Sequence, residues 1–209
     1  MKKITGLYHE YLPNISGMAG WYYDYDTNLL DSKSKAAPFA KKLLLFHAET
    51  QEIFTVYQAS EQQVISNFAV PEYYQGNLYF LVLEKVTEQI LIMSYEFVSR
   101  QVTEVARIAA AGIKFARLEI YIAPVLLAVQ DDLNHHVEIY YPQRLSLPLA
   151  EDESFECQEG EKFYFSKWLA DESLARRNAY LVRDAQGKTI AEGIGRITRF
   201  ENGEFMMIW

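Results

Sequence analysis

The sequence predicts an all-β fold, and three observations lead to that prediction. Half of the 209 residues are apolar and 14% are aromatic, with 15 Tyr and 12 Phe against 10 Gly. Aromatic and β-branched side chains favour strands and a buried core over disorder. Apolar runs also recur in pairs joined by short polar breaks, and an Asn202-Gly203 pair between two apolar runs adds a strong local hairpin signal. Antiparallel hairpins are therefore the expected unit of structure.

The stretch 78–108 is the clearest example of this pattern. Residues 78–84 and 89–97 are rich in β-branched and aromatic side chains, and the short break 85–88 separates them. Both alternating faces of the second run are largely apolar, and successive side chains of a strand point to opposite sides. We therefore expect a hairpin whose second strand lies inside a sheet.

Three further hairpins of the same kind are expected, with turns at 49–52, 131–134 and 184–187. Their strands are predicted at 43–48 with 53–58, at 125–130 with 137–141, and at 180–183 with 189–197. Successive turns are about 36 to about 53 residues apart, around the roughly 40 to 50 residues of propeller blades. The repeats predict a small propeller-like ring or packed sheets, in a single domain over residues 1–209.

The segment 99–112 has two interpretations. The first is a helix, with one apolar face at i, i+3, i+4 and i+7, formed by Val102, Val105, Ala106 and Ala109. Ser99 is its possible N-cap and Gly112 its C-terminal stop. Three consecutive alanines add helix propensity. The same residues also satisfy a half-buried strand following the hairpin. A helix near 99–111 would make the fold α+β instead of all-β.

The charge and the single cysteine bound the class of protein. A formal charge of −8 opposes binding to a phosphate backbone, so nucleic acid is disfavoured as a partner. No run approaches the ~20 apolar residues of a membrane helix, and the N-terminus lacks the apolar run of a signal peptide. Cys157 alone cannot close an internal disulfide. These observations predict a cytoplasmic protein without membrane association.

Aromatic and acidic residues near the start of the chain form the candidate ligand site. Trp21 opens a probable strand in which Asp24 and Asp26 alternate with tyrosines such as Tyr23, and Trp168 belongs to a second concentration of aromatic residues. Exposed rings of this kind stack on sugar rings or planar ligands, while carboxylates bind hydroxyl groups. The interpretation given more weight instead places the rings in the core and the two aspartates in water.

No motif for catalysis, a metal or a cofactor stands out. The adjacent His135 and His136 point to opposite sides of a strand, so we predict no metal site there. The acidic run 151–161 lacks the spacing of a calcium loop and is expected to form a solvated face. Its negative charge predicts a raised pKa and low reactivity for Cys157. Catalytic residues stay unassigned, because nucleophile, zinc and phosphate-loop signatures are missing.

The sequence favours a non-enzymatic cytoplasmic binding or scaffold protein, whose partner is a protein or a small-molecule ligand of unknown identity. The alternative is a carbohydrate-binding or carbohydrate-active protein that uses an aromatic and carboxylate cleft. Its enzymatic form requires two carboxylates facing each other, roughly 5 to 10 Å apart. We also expect the apolar end of the chain, 205–209, to be buried and to pair with the N-terminal strand.

Overall fold

The computed structural model describes residues 5–26, 39–67, 69–113, 118–170, 176–200 and 205–208, without the side chains of residues 170, 176, 177 and 199. Every regular element in these ranges is a strand, nineteen in all, and the strands pair antiparallel. None of these residues lies in a helix with the length and hydrophobicity of a membrane span. The predicted all-β fold of repeated antiparallel hairpins is confirmed.

The chain divides into two compact units, Met1–Ile113 and Lys114–Trp209. The described strands of the first unit are β1 (Trp21–Tyr25), β2 (Phe39–Ala40), β3 (Lys42–His47), β4 (Ile53–Gln58), β5 (Gln63–Ser66), β6 (Glu72–Tyr74), β7 (Asn77–Glu84), β8 (Gln89–Glu96) and β9 (Gln101–Ala109). They form a three-stranded sheet in the order β1-β3-β4 and a six-stranded sheet in the order β2-β5-β7-β8-β9, with β6 paired to β7.

The second unit contains two four-stranded sheets and a two-stranded one among its described residues. The strands are β10 (Leu118–Tyr121), β11 (Leu126–Asp131), β12 (His136–Tyr141), β13 (Leu145–Pro148), β14 (Glu153–Glu159), β15 (Lys162–Ala170), β16 (Arg176–Arg183), β17 (Thr189–Ile194), β18 (Arg196–Arg199) and β19 (Phe205–Ile208). Each strand pairs with the next in sequence within the sheets β10 to β13, β14 to β17 and β18 to β19.

All four predicted hairpins are present, as β3 with β4, β7 with β8, β11 with β12, and β16 with β17. Gly187 takes a φ of 77° in the last of these turns, a conformation that costs glycine little. The strand predicted over 189–197 is interrupted at Gly195, whose φ is 140°. The backbone therefore leaves β17 and starts the separate strand β18.

The helical alternative near 99–111 is wrong, because these residues form the strand β9. Its register runs against β8 from Glu96↔Gln101 to Gln89↔Ala109. Most side chains of β9 are exposed, while Val102 packs against the core. Pairing with a long neighbouring strand therefore outweighs the helix propensity of the alanines, which is a weak preference that tertiary context overrides.

Each unit has its own hydrophobic core. In the first unit, side chains from both sheets meet around Phe80, which is fully buried. In the second unit, side chains of both four-stranded sheets meet around Phe165, which is also fully buried. Burial of a side chain of this size contributes about 1.5 to 3 kcal/mol relative to its exposure. The single domain and the ring arrangement stay predictions.

The expected burial of the end of the chain is wrong for residues 206–208. Met206 is 50% exposed, and Met207 and Ile208 are more than a third exposed. The strand β19 pairs with β18, whereas the N-terminal strand β1 pairs with β3. The Asn202-Gly203 turn lies outside the described residues, but Arg199 and Phe205 pair in register on either side of it.

Candidate functional site

The aromatic residues predicted on β1 pack in the core of the first unit. The ring of Trp21 lies 4.6 Å from the ring of His47 and 5.3 Å from that of Phe97, centroid to centroid. Tyr23 is 8% exposed and stands edge-on to Tyr25. Burial raises the pKa of Tyr23, and the charge of Glu72 adds to the shift. Ligand stacking by Trp21 and Tyr23 stays a prediction.

The two aspartates of β1 accept hydrogen bonds from neighbouring segments. Asp24 is only 3% exposed, so the expectation that it faces water is wrong. Its carboxylate accepts the Nδ1–H of His9 at 2.5 Å and the backbone N–H groups of Tyr8 and Tyr25 at 2.6 and 2.9 Å.

Asp26 follows β1 and binds the backbone of the segment that leads into β3. Its Oδ1 accepts the N–H groups of Lys41 and Lys42 at 2.7 and 2.9 Å. Both predicted carboxylates of the first unit therefore hold the backbone in place. Trp168, the fifth predicted ligand-binding residue, lies on β15 in the second unit and is 55% exposed.

A polar cleft of about 610 Å³ lies in the second unit, at the free edge of β14. Its walls come from β10, from the end of β11 and the turn that follows, and from β14. The lining residues are Glu119, Tyr121, Gln130, Asp132, Ser154, Phe155 and Glu156. Three of these side chains are carboxylic acids, and none is basic.

A β-bulge in β14 directs one of these carboxylates. The register passes from Phe155↔Phe165 to Cys157↔Tyr164, so Glu156 is the additional residue on its strand. A bulge of this kind bends the strand and re-aims a side chain. The carboxylate of Glu156 accepts a hydrogen bond from the hydroxyl of Ser166.

The neighbouring residue ties the edge of β14 to the other sheet. The backbone N–H of Phe155 donates to Oε1 of Gln130 at 3.0 Å. The Nε2 of the same amide donates to Oδ1 of Asp132 at 2.8 Å. One glutamine thus holds both the strand edge and a carboxylate of the cleft.

The cleft is electrostatically negative around the hydroxyl of Tyr121. That hydroxyl donates to Oε2 of Glu119 at 2.8 Å. Burial raises the pKa of Tyr121 well above its ordinary value, and the charges of Glu119, Glu156 and Asp132 raise it further. Each of the three carboxylates has a neutral hydrogen-bond donor, and in the part of the chain that the structure describes none forms an ion pair.

This arrangement selects for ligands that carry positive charge or hydrogen-bond donors. A concave site with one sign of charge and low-dielectric walls focuses the potential and concentrates counter-ions. The described side chains contain no group of three or more His, Cys, Asp and Glu residues arranged to hold a metal ion.

Replacing Glu156 by glutamine should change how stability depends on pH. Burial raises the pKa of Glu156, and the hydrogen bond from Ser166 opposes that shift. The native-state stabilisation from the bound proton is therefore complete below the ordinary glutamate pKa of about 4.3 and is lost as pH rises through the elevated pKa. We expect Glu156→Gln to gain stability over the wild type as pH rises from about 4 to 8 in urea unfolding. A difference that stays constant with pH would contradict the elevated pKa.

The thiol of Cys157 should be unreactive in the folded protein. Burial raises its pKa to about 12, and the charges of Glu156 and Glu159 add to the shift. The thiolate fraction at pH 8 is then about 10⁻⁴, whereas an unperturbed cysteine with a pKa near 8.5 is substantially ionised. Reaction with an aromatic disulfide reagent should be slow in buffer and rapid in urea. Equally rapid labelling under both conditions would refute this prediction.

The prediction that the acidic run 151–161 forms a solvated face is wrong in part, because two of its carboxylates are drawn into the fold. Glu153 is 5% exposed and forms an ion pair with Arg183, with 2.8 Å between Oε2 and the guanidinium nitrogen. Glu156 lines the cleft. Glu151 and Glu161 are exposed, as expected.

Sequence reasoning missed the cleft, although its residues follow a pattern. Polar side chains recur two positions apart on three strands or strand ends, and alternate residues of a strand share a face. The pairs are Glu119 with Tyr121, Gln130 with Asp132, and Ser154 with Glu156. Nothing in the sequence indicated that these three pairs meet, since the cleft joins two different sheets.

Comparisons with known proteins give no family for this chain. No protein-family model and no curated protein matches the sequence. Among solved structures, the chain is similar to a mitotic checkpoint complex, with 10% identity, a TM-score of 0.43, and 91% of this chain and 52% of that chain covered. It is also similar to dipeptidyl peptidase 4 of Porphyromonas gingivalis, with 10% identity, a TM-score of 0.43, and coverage of 94% and 33%.

A third similar structure is an oligogalacturonate lyase in complex with manganese, with 11% identity and a TM-score of 0.39. The alignment covers 79% of this chain and 53% of that chain. The chain thus spans between a third and about half of the length of these three structures.

Proposed function

We propose that this chain is a non-enzymatic binding protein whose second unit holds a positively charged group of its partner in the acidic cleft. The observation that carries the proposal is the set of three carboxylates, Glu119, Asp132 and Glu156, which surround Tyr121 without an ion pair among the described residues. An amine or guanidinium group would bring a positive charge to these carboxylates and donate hydrogen bonds to several of them.

A cation suits this cleft better than the carbohydrate of the alternative hypothesis. Sugar rings stack on open aromatic faces, but Phe155 is only 4% exposed and its ring packs against Tyr121. The aromatic residues of the cleft are therefore part of its wall. The carbohydrate hypothesis stays a prediction and serves as the contrasting ligand class in the experiment.

The test measures binding of lysine amide, arginine amide and spermidine to the full chain by titration calorimetry. We expect binding that weakens with added salt, because screening acts on an open charged site. Glu119→Gln and Asp132→Asn should each reduce the affinity at least about fivefold, which corresponds to ~1 kcal/mol. Glu151→Gln and Glu161→Gln remove exposed carboxylates from the same unit and should leave the affinity nearly unchanged.

The outcomes separate the two ligand classes. Equal loss of affinity in the cleft variants and in the two control variants would indicate attraction by the overall charge of −8 and would overturn a specific site. Binding of a neutral oligosaccharide, with no binding of the cations, would favour the carbohydrate hypothesis. The identity of the partner and the cytoplasmic location stay predictions.

A further inference from the structure

Trp168 lies on the same face of its sheet as Ser166, which contacts the lining of the acidic cleft. Ser166 and Trp168 are two residues apart on β15, so their side chains point to the same side. The hydroxyl of Ser166 donates to Glu156, which lines the cleft, and Ser154, another lining residue, is the register partner of Ser166. The indole is 55% exposed and is therefore accessible to a ligand.

The position of Trp168 is fixed by its backbone and by its neighbours on the strand. Its N–H donates to the carbonyl oxygen of Asp152 at 3.0 Å. The ammonium group of Lys167 lies 3.4 Å from Oδ2 of the same residue, on the opposite face of β15. The backbone that carries the indole is thus held to Asp152, the residue before β14.

Gly193 on β17 leaves room for the ring of Tyr180, the neighbour of Ser166 on β16. Tyr180 is the register partner of Ser166 and pairs in turn with Gly193 on β17. A Cβ on Gly193 would come within 2.8 Å of the ring of Tyr180, so the ring occupies the space that a side chain would take. The ring of Tyr180 therefore lies over Gly193 of β17.

We infer that the ligand of the cleft is an extended peptide with basic side chains at positions i and i+2. Side chains two residues apart on a strand are about 6.6 to 6.8 Å apart, and an extended peptide has the same repeat. A peptide aligned with β15 places one basic side chain over Ser166, whose hydroxyl donates to Glu156, and the next on the indole of Trp168. A lysine or arginine over the face of a tryptophan is stabilised by the cation–π interaction.

This inference rests on the proposed function and narrows its ligand. A second copy of this chain is a poor occupant, because two chains of charge −8 repel each other. A basic peptide has the complementary charge for both the carboxylates and the indole. The acidic cleft alone would not distinguish between peptides that differ in the spacing of their two basic residues.

The experiment compares two peptides of the same composition, acetyl-Gly-Lys-Ala-Lys-Gly-amide and acetyl-Gly-Ala-Lys-Lys-Gly-amide, against the full chain. We expect the spaced peptide to bind about two- to fivefold more tightly, the range for a cation–π contact at an exposed site. Trp168→Ala should abolish this preference, whereas Trp168→Phe should retain part of it. Leu133→Ala, an exposed residue in a turn of the same unit, is the matched control.

A spectroscopic readout identifies the indole directly. The spaced peptide should change the tryptophan emission of the wild type, and the change should be absent from Trp168→Phe. Thermal unfolding of each variant checks that the fold is retained, which we expect because the indole is exposed.

The results distinguish the two proposals. Equal affinity for both peptides, with Glu119→Gln still weakening binding, would overturn the peptide inference and leave the cationic cleft in place. Absence of binding by either peptide and by the small cations would overturn both.

Discussion

Replacing Arg183 by methionine is expected to lower the free energy of unfolding by about 3 to 5 kcal/mol, because it leaves the buried carboxylate of Glu153 without its cation. Glu153 is 5% exposed and Arg183 8% exposed. The Nη2 of Arg183 donates to both carboxylate oxygens at 3.0 and 2.8 Å, and its Nη1 donates to the carbonyl oxygen of Pro148 at 2.5 Å.

Arg183 and Glu153 each make one further contact that links the ion pair to the surrounding fold. The guanidinium carbon of Arg183 lies 4.5 Å from the centroid of the Phe165 ring, at the centre of the second core. The carboxylate of Glu153 also accepts the backbone N–H of Ala150 at 2.8 Å, which fixes the turn between β13 and β14. The pair therefore orients the strand that carries the cleft.

Urea unfolding measures this effect, and two variants make it interpretable. Lys167→Met removes an ion pair that is partly exposed, so its expected cost is below about 1 kcal/mol. The double variant Glu153→Gln, Arg183→Met should recover part of the loss, because no buried charge is then left unpaired. If Arg183→Met lowered the free energy of unfolding by less than about 1 kcal/mol, water would have to solvate the carboxylate of Glu153 in the variant, and the prediction would be wrong.

The variant Asp24→Ala should lose about 2 to 4 kcal/mol of stability, since its carboxylate serves three donors in and around β1. These donors are the Nδ1–H of His9 and the backbone N–H groups of Tyr8 and Tyr25. Removal of the acceptor leaves them with reduced solvation and no partner. The segment before β1 should then detach from the strand more readily.

Hydrogen exchange and urea unfolding test this prediction together. The amide of Tyr8 should exchange faster in Asp24→Ala, and the unfolding midpoint should fall. Glu49→Ala, an exposed change in the turn between β3 and β4, should alter stability by no more than about 0.5 kcal/mol. Unchanged stability in Asp24→Ala would favour the earlier hypothesis that this carboxylate is reserved for a ligand.

The candidate site shows where local sequence reasoning stops. For Trp21 and Tyr23 the sequence allows both a ligand surface and a place in the core, because an alternating pattern does not say which face is covered. The second sheet of the first unit supplies that cover, through residues such as Phe97 and Tyr95 that are distant in sequence. The same lack of long-range information hid the cleft around Tyr121.

The sequence by itself determined the all-β class, the four hairpins and their turns, because side-chain alternation and turn chemistry act over a few neighbouring residues. It also predicted the direction of the pKa shift of Cys157 from its acidic neighbours, whereas burial, the larger cause of that shift, came from the tertiary structure. Only the tertiary structure decided that 101–109 is a strand, that Asp24 is buried, and that Glu119, Asp132 and Glu156 meet. Those outcomes depend on the pairing and packing of segments far apart in sequence, whose energies no local pattern contains.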